Sequence, residues 1–134
     1  MKKVFSIFIT GVILFICCIG ISAAMPDEVV PLWDNISSMT NNIVFDSTDG
    51  TAKATVRGIS GTTSISATLT VYKQTSSGKW VYVDSDSDTK SGRYLSLTVE
   101  FEGESGANYK AVFDVSVNYN GTVETETKTA YKVC

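Results

Sequence analysis

From Asn41 to Cys134 the chain alternates apolar and polar residues with a period of two, and turn-forming clusters interrupt it every ~8–12 residues. In "TAKATVRGIS" Ala52, Ala54 and Val56 share one face, and Lys53, Thr55 and Arg57 share the other. In "SISATLTVYK" Ile65, Ala67, Leu69 and Val71 form the apolar face. "RYLSLTVEFEG" places Leu95, Leu97, Val99 and Phe101 together, and "NYKAVFDVSVNY" places Tyr109, Ala111, Phe113, Val115 and Val117 together. Each pattern is that of a half-buried strand. "NNIVFDS" predicts a short first strand closed by a turn at Thr48–Gly50, and "SSG" at Ser76–Gly78 predicts a hairpin leading into "KWVYVDS". Asn120-Gly121 is a strong two-residue hairpin signal. The last segment, "TVETETKTAYKVC", is Thr-rich and charged, as suits an edge strand. No helical period occurs beyond the N-terminal segment. The expected fold is all-β, a single antiparallel β-sandwich of about seven strands.

Two segments precede this region. Residues 1–24 have Lys2 and Lys3, then the apolar run "VFSIFITGVILFICCIGI", then Ser22, Ala23 and Ala24. That order predicts a secretory signal peptide cleaved after Ala24. The alternative is an uncleaved anchor, since the run approaches the ~20 apolar residues a membrane span needs. Residues 25–40, "MPDEVVPLWDNISSMT", contain both prolines and no clear period. They read as a lead-in from which Trp33 and Ile36 dock on the domain at 41–134.

Composition narrows the function. The processed chain would carry nine basic and 14 acidic residues, a net charge of −5, which disfavours nucleic acid and anionic lipid as partners. Cys134 would be its one cysteine, so the domain would hold together by packing with no internal disulfide. The chain has no histidine, which removes the usual general base and most zinc sites. Its carboxylates are expected at strand exits or outward positions such as Glu100, Glu102, Glu124 and Glu126, so no catalytic residue and no cofactor is assigned.

"GANYKAVFDV", Gly106–Val115, resembles the immunoglobulin-like strand that carries a tyrosine corner, with Tyr109 at the corner position and Ala111 where an antibody domain has a cysteine. "GKWVYV" resembles the third strand of that fold, which implies Trp80 as its buried tryptophan. Gly78-Lys79-Trp80 and Gly106-Ala107-Asn108-Tyr109, with the alternating strands around them, make residues 33–132 similar to small exported β-sandwich proteins of Gram-positive bacteria. That resemblance implies an immunoglobulin- or fibronectin-like sandwich outside the cell, and no activity. On it Trp80, Tyr109 and Ala111 are structural residues. Trp80 is expected to fill the space between the sheets, with Ala111 leaving room beside it.

"VDSDSDTKSG" sets Asp84, Asp86 and Asp88 at alternate positions. An EF-hand counted from Asp84 needs glycine sixth and glutamate twelfth, where Thr89 and Leu95 stand. The stretch therefore reads as a solvated connection between strands, with a low-affinity calcium site on the three aspartates as the alternative. Asn35-Ile36-Ser37 and Asn120-Gly121-Thr122 fit the N-glycosylation pattern and are expected to be unused. The resulting expectation is a secreted, non-catalytic structural or interaction module with a protein or glycan partner. One rival is a carbohydrate-binding module, which needs exposed aromatics along one face. Another is a secreted bacteriocin-like toxin.

Overall fold

A computed structural model describes residues 33–134; the signal-like segment 1–24 and the lead-in through residue 32 lie outside the described residues. Seven strands follow one another: β1 (Ile36–Asp46), β2 (Asp49–Gly58), β3 (Ser64–Gln74), β4 (Trp80–Ser91), β5 (Tyr94–Glu102), β6 (Asn108–Tyr119) and β7 (Thr122–Val133). They form a three-stranded sheet in the order β1-β2-β5 and a four-stranded sheet in the order β4-β3-β6-β7. Every pairing is antiparallel. This is an all-β sandwich. An antibody constant domain sets its fourth strand beside the fifth, whereas β4 here pairs with β3 in the opposite sheet.

The core follows the alternation. Ala52, Ala54 and Val56 of β2 and Leu95, Leu97 and Val99 of β5 are buried against Ile65, Leu69 and Val71 of β3 and Ala111, Phe113 and Val117 of β6. At one end Phe45, Phe101 and Tyr109 form a three-ring cluster with centroids 5.3–5.6 Å apart. Gly50 belongs to this cluster by necessity, because a Cβ there would come within 2.8 Å of Phe45 and Phe101.

Two boundaries differ from the sequence expectation. The strand β1 starts at Ile36, inside the segment read as a lead-in. A bulge between Ile36 and Ser38 and a polar residue in the inward series, Asn41, hide its period. Trp33 packs partly buried against the core. The first turn is Ser47-Thr48 and not Thr48–Gly50, because Asp46 pairs with Asp49 and Gly50 pairs with Phe45 inside the ladder.

Asn41 ties the two sheets together. Its Nδ2 donates to the carbonyls of Ala111 and Lys128, each at 2.8 Å. The start of β1 is held from the same side, where the Glu124 carboxylate accepts the backbone N–H groups of Asp34 and Asn35.

Candidate functional site

Cross-strand partners share a face of a sheet, so register decides what the outer face of the four-stranded sheet presents. Tyr82 pairs with Tyr72, Tyr72 with Lys110, and Lys110 with Tyr131, which places four side chains in one row across β4, β3, β6 and β7. The neighbouring row begins with Trp80, opposite Gln74. It continues with Asn108, whose Nδ2 donates to Gln74 Oε1 at 3.1 Å, and ends with Val133. The edge strands β4 and β7 are separated by roughly 14 Å of sheet, yet the Trp80 and Tyr131 rings lie 6.1 Å apart. Both side chains therefore lean over the middle of the face. The Lys110 ammonium sits between aromatic rings, 4.7 Å from the Trp80 centroid and 5.3 Å from the Tyr72 centroid. Tyr82 and Tyr131 are 61% and 68% exposed, which leaves their ring faces open to solvent.

This placement corrects the expected role of Trp80. The indole is half-buried on the outer face and takes no part in the inter-sheet core. The reason is register: Trp80 pairs with Gln74 and Tyr82 with Tyr72, on the outward parity of β3. The inward positions of β4 fall to Val81 and Val83 instead, and of these Val83 packs against the core. Ala111 is fully buried, and what it accommodates is Asn41, hydrogen-bonded to its carbonyl, and not an indole. Tyr109 is buried, and its hydroxyl oxygen accepts the Glu104 N–H at 2.8 Å, five residues upstream.

A groove of about 490 Å³ opens between Trp80, Gln74, Asn108, Tyr131, Lys132 and Val133. Gln74 and Asn108 also border a second, more polar groove of about 740 Å³ between the β3–β4 and β5–β6 loops. There Lys73 donates to Glu104, and that hydrogen bond raises the lysine pKa above its ordinary value. Away from the aromatic end the same face is rich in hydroxyls, with Thr68 and Thr70 on β3, Ser85 and Ser87 on β4, and Thr127 and Thr129 on β7.

The three aspartates are not in a connection. Asp84, Asp86 and Asp88 belong to β4 and pair with Val71, Leu69 and Ala67, whose side chains point into the core. They form an acidic row on the inner side of an edge strand, each Oδ1 accepting the N–H of the following residue. Alternate residues of an extended strand stand ~6.6 Å apart, so the row runs straight where a calcium loop would curl its ligands together. Among the described residues no three acidic or cysteine side chains gather in one place.

Sequence reasoning missed Lys110, Gln74 and Asn108 as members of a site. One signal was available: Tyr72 and Lys110 fall on the polar parity of strands whose apolar parity is unambiguous.

No family model matches the chain, and no curated protein does. Solved structures resemble it at low identity. The solution structure of CsgH from R. palustris aligns with a TM-score of 0.44 at 13% identity, over 71% of this chain and 89% of that one. A beta-glucuronidase from Parabacteroides merdae aligns with a TM-score of 0.44 at 14% identity, over 70% of this chain and 13% of the enzyme. The sporulation control protein Spo0M from Bacillus subtilis aligns with a TM-score of 0.39 at 11% identity, over 74% of this chain and 49% of that one.

Proposed function

We propose that the chain is an exported, non-catalytic binding domain, and that its ligand is a carbohydrate held on the outer face of the four-stranded sheet. The observation that carries this reading is the position of Trp80. It lies beside Tyr131 on an open face, over a groove bordered by two side-chain amides. Sugar rings offer C–H faces that stack on aromatic rings and hydroxyls that need polar partners. An aromatic platform with Gln74 and Asn108 at its edge supplies both kinds of contact, and the Thr and Ser rows continue the polar surface beyond it. The platform is rigidly supported, since Tyr109 fills the inner face of the strand that carries Asn108 and Lys110 on its outer face.

Export, cleavage after Ala24 and a Gram-positive origin belong to the same proposal. They rest on the signal-like order of residues 1–24 and on the resemblance of the Gly-x-Trp and Gly-x-x-Tyr stretches.

Affinity electrophoresis through gels containing soluble polysaccharides tests the binding reading. The parent should be retarded by at least one neutral or acidic glycan. Trp80→Ala and Tyr131→Ala should migrate freely while keeping a cooperative unfolding transition. Free migration of the parent in every gel, or retardation that survives both substitutions, overturns it.

A further inference from the structure

We infer that the sugar taken on this face carries a carboxylate, and that Lys110 is the residue that reads it; the inference rests on the carbohydrate reading above. Lys110 stands at the centre of the aromatic row, with Tyr72 on one side and Tyr131 on the other. Its ammonium is held against the Trp80 and Tyr72 rings. Those rings attract a cation but accept no ordinary hydrogen bond, and an ammonium has three donors to place. The ion pairs among the described residues are Lys73 with Glu104 and Lys90 with Asp88, so Lys110 has no carboxylate within pairing distance. The aromatic groove beside it is lined by no acidic residue.

The nearest carboxylate along β6 on this face is Asp114, four residues further on and so ~13 Å away, where it accepts a hydrogen bond from Thr127. That separation exceeds the ~8 Å screening length at physiological salt. The Asp84, Asp86 and Asp88 row lies on the opposite side of β4. A chain that is acidic as a whole thus presents a locally cationic aromatic site. Its ammonium is a compact single charge with no guanidinium fork beside it, which matches one carboxylate better than a dianionic phosphate. A uronate residue of an extracellular polysaccharide offers the combination required: a ring to stack on Trp80 or Tyr131, hydroxyls for Gln74 and Asn108, and a carboxylate for Lys110.

Isothermal titration with tri-galacturonate, its methyl ester and cellotriose separates the two levels of the argument. Tri-galacturonate should bind the parent about tenfold or more tightly than the ester, the scale of one charge-assisted hydrogen bond, and the preference should weaken as salt is raised. Lys110→Met keeps the aliphatic stem against the rings and should abolish the preference of acid over ester, the ratio being read within the variant itself. Lys110→Gln serves the same purpose if the methionine variant unfolds. Equal binding of the acid and its ester, or a preference that persists in both variants, overturns the role of Lys110 and leaves the carbohydrate reading standing. Failure of all three sugars and of a wider polysaccharide panel overturns both.

Discussion

An aromatic side chain on the outside of a sheet and one between two sheets respond differently to truncation. Phe113 is fully buried, so Phe113→Ala removes its transfer free energy and leaves a cavity, at about 3–5 kcal/mol. Trp80 rests on Lys110 and Tyr131 with part of its surface in water, so Trp80→Ala should cost only about 1–2 kcal/mol, the scale of one cation–π and one aromatic contact. Urea unfolding of the two variants beside the parent reads the contrast; equal losses would return the tryptophan to the core. Asn41→Ala strips the carbonyls of Ala111 and Lys128 of a shared donor. The buried Asn41 Oδ1 has no partner of its own, so its removal offsets part of the damage. The expected loss is about 1–2 kcal/mol, at the low end for an orphaned polar group, and an unchanged urea midpoint would show that the sheets need no such tie. At this scale the sequence was legible where parity had a buried reference. Tyr109 falls in step with Phe113 and Val115, and the parity holds. Trp80 sits in a strand that is largely exposed on both faces, so neither parity of "KWVYV" is marked as inward and a short motif could not choose between them.

Edge strands explain much of the charge distribution. The four-stranded sheet ends in β4 and β7, each 12 residues long, and a long edge invites pairing with another chain. Both strands place charges on their inward-pointing positions: Asp84, Asp86, Asp88 and Lys90 on β4, and Glu124, Glu126, Lys128 and Lys132 on β7. A second molecule cannot add a strand without burying these groups. Replacing the middle of the row, as Asp86→Val with Asp88→Val, should therefore produce concentration-dependent self-association by light scattering under conditions where the parent shows none. A double variant that scatters like the parent would remove this role from the acidic row. The turns carry a separate cost. Asn120 and Gly121 both have positive φ, 49° and 90°, and Gly121→Ala should destabilise by about 1–2 kcal/mol in urea. The central strands β2, β3, β5 and β6 were legible because each buries one face against the opposite sheet. At the margins, β1 was obscured by its bulge and Asn41, and β4 was obscured because serine and aspartate are as common in turns as on a solvated edge.

For the molecule as a whole, the core and the outer-face aromatic cluster lie on opposite faces of the four-stranded sheet. The inner faces of two sheets make the core, and the outer face of one sheet gathers Trp80, Tyr131, Tyr72 and Tyr82 around Lys110. The sandwich could be read from alternation and turns alone, because burial writes itself into every second residue. The site could not, because it is assembled from four strands far apart in sequence, and only register brings Tyr82, Tyr72, Lys110 and Tyr131 into one row. The most direct measurement is a ¹⁵N–¹H spectrum of the domain titrated with tri-galacturonate and, separately, with cellotriose. Its two tryptophans, Trp33 and Trp80, give two indole signals, one from the residue that precedes β1 and one from the start of β4. The account predicts that a sugar shifts the Trp80 indole and the amides around Gln74, Asn108, Lys110 and Tyr131, and leaves the Trp33 indole and the strands β1, β2 and β5 in place. Shifts confined to the three-stranded sheet, or no shift with either sugar, would contradict it.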